Sequence, residues 1–201
     1  MLKRTHDKIY AMFEKAGGYL PTRELLDKGI STIHIKELLM DRDIEKVSHG
    51  NYWGSFLNKE KPEKYKFIEA CMTNKKAVIC GPSACYYHGL LKKEPPVLYV
   101  ATARTDRSGM KLMFPVSRHY YSKTTFDKYM DTYMESGMKV RVYNIDRSVV
   151  DCIRMREDIG EEILGEIIES YSKSEKKNTG DLLSYADDMR VGQIVRTRLK
   201  L

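Results

Sequence analysis

Glycine and proline break the first third of this chain into segments too short for anything but a small helical module with a minor sheet. Gly17-Gly18, Pro21, Gly29 and Gly50 stand between runs of apolar residues at helical or strand spacing. Glycine takes the left-handed conformation that ends a helix at little steric cost, so each run is fenced on its C-terminal side. Ile9, Met12, Phe13 and Ala16 repeat at helical spacing and make one apolar face. Tyr19-Leu20 reads as a short extended piece. Pro21 cannot carry a helix backward, and Thr22 is placed to cap the next one. Leu25 and Leu26 turn that second helix inward until Gly29 stops it. Ser31 is the next candidate cap, ahead of a third helix with the buried stripe Ile35, Leu38 and Leu39. Ile44–Val47 and Asn51–Trp53 predict two short strands around the turn Ser48-His49-Gly50. Helix, short strand, helix, glycine turn, helix and hairpin is the order of a winged helix-turn-helix.

Asn58 to Lys66 is polar, densely charged and interrupted by Pro62, which reads as a linker. The expected class is therefore α+β. A winged helix-turn-helix over 1–57 leads through a linker over 58–66 to a larger mixed α/β domain over 67–201. In the larger domain Tyr65–Thr73 reads as helical, and Ala77–Cys80 and Val97–Ala101 as buried strands. Ser83 is placed to cap a short helix ending at Gly89. Lys111–Met113 and Val116–Tyr121 predict strands around Pro115. Tyr129–Met134 and Met138–Tyr143 pair across Ser136-Gly137, or else a helix runs from Phe126 to Met134. Asp146 is placed to cap a helix carrying Val149, Val150 and Ile153, and two or three more helices follow.

Charge narrows the partners. Lys and Arg exceed Asp and Glu by 35 to 28, a net +7 that favours polyanions such as nucleic acid. No run of about 18 apolar residues predicts a membrane-spanning helix. Met1-Leu2-Lys3-Arg4 is followed by polar residues, not by the apolar stretch of a signal peptide. Cys71, Cys80, Cys85 and Cys152 lie among apolar neighbours with no Cys-x-x-Cys pair, the pattern of buried, reduced thiols in a cytoplasmic protein.

A helix that reads DNA buries one face and offers the other to the major groove. With Ile35, Leu38 and Leu39 inside, Ile33, Lys36, Glu37 and Met40 point outward and His34 lies on the flank. Ser31 and Thr32 at the helix start suit a phosphate, and Lys36 and His34 suit phosphate or a base edge. Arg42 follows at the helix end. Lys46, His49 and Asn51 on the hairpin are placed for the backbone or the minor groove, while Tyr52 and Trp53 pack beneath it. Glu37, Asp41, Asp43 and Glu45 dilute the local field, so tight binding calls for help. Arg104, Arg107, Lys111, Arg118 and Lys123 form the candidate accessory basic surface.

The stretch GGYLPTRELLDKGISTIHIKELLMDRDIEKVSHGNYW resembles the N-terminal winged helix of the AbiEi antitoxin family of abortive-infection systems. Gly50 and Tyr52 fill that family's Gly-x-Tyr at the end of the wing. CGPSACYYHGL is similar to its Ser-Ala-x-x-x-His-Gly-Leu segment through Ser83, Ala84, His88, Gly89 and Leu90. IDRSVVDCI is similar to its Arg-Thr-x-x-Asp-Cys segment through Arg147, Asp151 and Cys152, with Ser148 where threonine is usual. LLSYADDMRV resembles the tyrosine-alanine helix near the family's C-terminus. The resemblance implies a winged helix that binds inverted repeats in its own promoter and represses the operon. It also implies a C-terminal domain that counteracts a nucleotidyltransferase-like toxin without needing a stable complex.

Catalysis has weaker support. Ser83, His88 and Asp151 invite a nucleophilic triad, but Ser83 follows Gly81-Pro82 without a Gly-x-Ser-x-Gly elbow. Asp151 lies one turn from Arg147, its natural ion-pair partner. The five histidines show no paired helical spacing, so no metal or cofactor is expected. Two alternatives stay open: a metal-dependent nuclease using Asp146 and Asp151, and an adaptor whose winged helix binds protein.

Overall fold

In the computed structural model, which describes residues 1–201, the glycine-fenced runs become helices and strands in the expected order. α1 (Lys3–Lys15), β1 (Tyr19–Pro21), α2 (Thr22–Asp27) and α3 (Thr32–Met40) are followed by β2 (Glu45–Ser48) and β3 (Asn51–Trp53). The strands form an antiparallel sheet in the order β1-β3-β2. Gly18 shows why the chain needs glycine after α1. Its φ is +97°, and a Cβ there would come within 2.2 Å of the Trp53 ring. Ile9, Phe13, Leu20, Leu25, Ile30, Ile35, Leu38 and Ile44 make the core. Each such side chain contributes roughly 1.5–3 kcal/mol of burial.

Ser31 caps α3 as expected, but Thr22 does not cap α2. Pro21 holds the cap position and Thr22 is the first helical residue. The Thr22 amide already donates to the Gly50 carbonyl (2.7 Å), so it needs no side-chain acceptor.

The linker expected over 58–66 is a correction as well. The chain divides after Lys75, and the first compact unit takes in Met1–Lys75 together with Gly109–Met113 and Met134–Lys139. α4 (Tyr65–Thr73) belongs to it. Lys61, in the middle of the charged stretch, pairs with Glu45 on β2 and with the buried Glu69 of α4 (2.7 Å). Lys61 is thus a structural contact of the first unit, while Lys59, Glu60 and Glu63 remain exposed.

The second unit comprises Lys76–Ser108, Phe114–Tyr133 and Val140–Leu201. It contains β4 (Val78–Ile79), α5 (Gly81–Tyr87), β5 (Leu98–Ala103), β6 (Val116–Tyr121), α6 (Lys123–Phe126) and most of β7 (Met130–Glu135) and β8 (Met138–Tyr143), whose turn ends fall in the first unit. The five strands lie in the order β6-β5-β4-β8-β7, with β6 and β7 at the edges. β4 runs antiparallel to β5 and parallel to β8, and β5 runs parallel to β6. β7 and β8 meet across Ser136-Gly137, whose φ values of +47° and +78° suit a two-residue hairpin turn. The helix alternative through Phe126 to Met134 is therefore replaced by α6 and a strand. Lys111–Met113 is loop, not strand; it pairs with no other strand.

Five helices complete the unit: α7 (Ile145–Arg154), α8 (Arg156–Ile159), α9 (Glu161–Ser172), α10 (Thr179–Asp188) and α11 (Gly192–Leu199). Val149, Ile153, Leu164, Ile167, Leu182 and Val195 interlock in their core. Two expected caps are corrected. Asn144, not Asp146, caps α7 by accepting from the Arg147 amide (2.9 Å). Ser83 lies inside α5, where its hydroxyl serves β5 instead. No helix is long and apolar enough to cross a membrane, and all four cysteines are buried and outside any disulfide.

Candidate nucleic-acid interface

α3 buries Ile35 and Leu38 and turns Thr32, Ile33, Lys36 and Met40 outward. Ser31 and His34 lock its start: Ser31 Oγ accepts from the His34 amide (3.3 Å), and the Ser31 amide donates to His34 Nδ1 (3.4 Å). One ring nitrogen of His34 is thus spent on the helix cap. Arg42 is exposed just past the helix, in a left-handed conformation at φ +60°.

Lys46 and His49 are exposed on the β2–β3 hairpin, and Tyr52 and Trp53 are buried beneath it. Asn51 is directed inward. Its amide donates to Ser48 Oγ (2.9 Å) and to the Met72 carbonyl (3.2 Å), so it braces the hairpin rather than facing a ligand. The acidic residues are less disruptive than their number implies. Asp43 lies 3.2 Å from His6 Nε2, and Glu45 is paired with Lys61. Asp41 remains exposed, and Glu37 is half-buried.

The second unit's motif residues are internal joints. Ser83 Oγ accepts from the Tyr99 amide (2.9 Å) and ties α5 to β5. His88, at the end of α5, places Nε2 2.7 Å from the Tyr143 carbonyl and ties α5 to β8. Burial lowers the His88 pKa, so the ring donates there as a neutral imidazole. Gly89 follows at φ +77°.

Arg147 is fully buried. Its Nη1 donates to the carbonyls of Phe126 (3.1 Å) and Lys128, and its guanidinium lies against the rings of Tyr143 and Tyr185. Arg147 Nε stands 3.6 Å from Asp151 Oδ2, and Asp151 Oδ1 accepts from the Tyr185 hydroxyl (3.1 Å). Burial raises the Asp151 pKa, and Arg147 opposes the rise. Ser148 donates to the Asn144 carbonyl (2.7 Å), a bond a threonine would also make. Ser83, His88 and Asp151 therefore have separate partners, not one another. Asp146 is likewise engaged, accepting from the Tyr171 hydroxyl (2.6 Å) and the Asn178 amide (2.8 Å).

The accessory basic surface is only partly assembled. Arg104, Arg107 and Arg118 line one open cleft of about 480 Å³ with Asp106 and Tyr120. Lys111 belongs to the loop segment of the first unit, and Lys123 opens α6; neither lines the cleft. Arg118 acts as a brace. It donates from Nε to Thr102 Oγ1 (2.8 Å) and from Nη1 to the Ser108 carbonyl (2.7 Å), and its Nη2 lies 3.2 Å from Asp106 Oδ2. Tyr120 is the lining residue that charge counting passes over. The signal for it is alternation along β6, which puts Tyr120 on the same face as Arg118.

No protein-family model matches the chain, and no curated protein does. Among solved structures, the crystal structure of the RV2827C protein from Mycobacterium tuberculosis is similar at a TM-score of 0.68. The match covers 100% of this chain and 78% of that one, at 10% sequence identity. The two chains share a fold.

Proposed function

We propose that the protein is a winged-helix repressor of its own operon and the antitoxin of a type IV toxin–antitoxin pair, as its resemblance to the AbiEi family implies. One observation carries the DNA-binding part: α3 and the β2–β3 hairpin, built on a single core, hold Lys36, Lys46 and His49 in solvent. In this reading α3 lies in the major groove. Thr32 and Ser31 approach a phosphate, Lys36 reaches phosphate or a base edge, and Ile33 and Met40 suit thymine methyl groups. The hairpin follows the backbone with Lys46 and His49. The antitoxin part rests on the motifs around Ser83, His88, Arg147 and Asp151. Since their side chains are spent on the interior, the second unit's surface carries the effect on a nucleotidyltransferase-like toxin.

The test is binding to a promoter fragment from its own operon. Lys36→Ala combined with Lys46→Ala is expected to weaken binding at least about fivefold and to flatten its salt dependence by nearly two phosphate equivalents. Unchanged binding in the double variant overturns the proposed surface. The same variant should still rescue cells expressing the toxin encoded beside it.

A second reading, a winged helix that binds protein, is favoured by Ile33 and Met40, which are 66% and 82% exposed on the same side of α3. It predicts that the unaltered protein leaves the promoter fragment unshifted.

A further inference from the structure

The cleft on the second unit has a chemistry that a duplex backbone does not require. Arg104 and Arg107 are exposed and no carboxylate pairs with them, so two guanidinium groups stand free at one mouth. Asp106, the acid between them, does not oppose an anion. Its Oδ2 faces Arg118 Nη2 at 3.2 Å, and its Oδ1 accepts from the Ser108 amide (2.9 Å). Arg118 adds no free charge of its own, because its three nitrogens are spent on Thr102, Ser108 and Asp106. What it does is fix the loop that carries Arg104 and Arg107.

The remaining wall is Tyr120, which is 50% exposed. The guanidinium carbon of Arg118 lies 5.1 Å from its ring centroid and steadies the ring. β6 is an edge strand, so no further strand covers that side. A half-exposed aromatic ring beside two unpaired arginines is the pairing that takes an unpaired nucleotide: a base on the ring and a phosphate on the guanidinium groups. Duplex DNA would use the arginines and leave the ring idle, since its bases are stacked on one another. A volume of about 480 Å³ is in the range of a small-ligand site.

We propose that the cleft formed by Arg104, Arg107 and Tyr120 binds an unpaired nucleotide, with the base stacked on Tyr120 and a phosphate held by the two arginines. The site is on the second unit and does not depend on the winged-helix reading of the first.

The test uses the full chain and fluorescence anisotropy with a labelled single-stranded oligouridine. Arg104→Ala combined with Arg107→Ala is expected to weaken binding roughly tenfold or more. Tyr120→Ala is expected to weaken it about tenfold, and Tyr120→Trp to retain it. Both sets of variants leave the core untouched, and circular dichroism checks that each is folded. Lys36→Ala with Lys46→Ala should not change oligouridine binding, which keeps this result separate from promoter binding. Unlabelled uridine monophosphate separates the sources. Competition at millimolar concentration assigns the cleft to free nucleotides, and its failure assigns it to single strands. The proposal is overturned if oligouridine does not bind, or if Tyr120→Ala binds it as well as the unaltered protein does. It is also overturned if Tyr120→Ala weakens duplex and single strand alike.

Discussion

Each unit of this protein buries a carboxylate, and each supplies it with a tyrosine hydroxyl and a cation. In the first, Glu69 is 2% exposed, receives the Tyr19 hydroxyl (3.2 Å), and is met by Lys61 (2.7 Å). In the second, Asp151 is 0% exposed, receives the Tyr185 hydroxyl, and is met by Arg147. The difference is the cation. Lys61 comes from the loop ahead of α4, keeps 21% of its side chain in solvent, and also reaches Glu45. It is a flexible tail that can return to water. Arg147 is on the same helix as Asp151, is fully enclosed, and is held by two carbonyls and two aromatic rings. It has nowhere to go. The same chemistry is therefore a surface clamp in one unit and a sealed joint in the other.

The largest effect should come from breaking the sealed joint. Asp151→Leu leaves a guanidinium buried without its counter-charge and should cost about 3–5 kcal/mol in urea unfolding. Adding Arg147→Met should restore more than half of that loss, because two apolar groups then replace the pair. A single variant as mild as its Glu69 counterpart would erase the distinction between the two units. Glu69→Gln should cost less, roughly 1–2 kcal/mol, since Lys61 can turn to Glu45 or to water.

The smallest effect should appear with pH, at His88 in the second unit. Burial is the largest influence on His88 and lowers its pKa. Lys176 acts in the same direction, while the Tyr143 carbonyl, Asp131 and Asp146 oppose it. A lowered folded pKa means that the unfolded chain takes the proton first. Stability contributed by neutral His88 is then present above pH 6.5 and is lost as pH falls through the folded value. His88→Gln should flatten the decline in unfolding free energy as pH falls below 6.5. An identical slope in the two proteins would mean that the His88–Tyr143 joint carries none of it.

Local signals suffice where a local event decides the structure. Gly17-Gly18, Gly29 and Gly50 end their elements because backbone conformation there is a property of a few adjacent residues. Ser31 caps α3 for the same reason. They do not suffice where a distant partner decides. A polar residue ahead of an apolar stripe looks like a cap in both settings, yet Asp146 answers to Tyr171 and Ser83 to Tyr99. The stretch around Lys61 has the composition of a tether, and its buried partner, Glu69, carries no local mark that sets it apart from an exposed helical glutamate. Of the basic cluster, Arg104, Arg107 and Arg118 converge, since β5 and β6 run side by side from Leu98–Val116 to Ala103–Tyr121. Nothing in the spacing of Lys111 or Lys123 separated them from that group.

The way the backbone alternates between the two units has a practical consequence. Gly109–Met113 and Met134–Lys139 belong with the N-terminal residues although they are encoded far downstream. Gly17, for instance, is packed so closely that a Cβ on it would sit 2.6 Å from the Ser136 carbonyl oxygen. A gene fragment ending near Lys75 would thus omit part of the body it is meant to isolate, and one starting there would carry orphaned pieces of it. Dissecting this molecule calls for point substitutions in the intact polypeptide, because no single pair of scissors separates its halves cleanly.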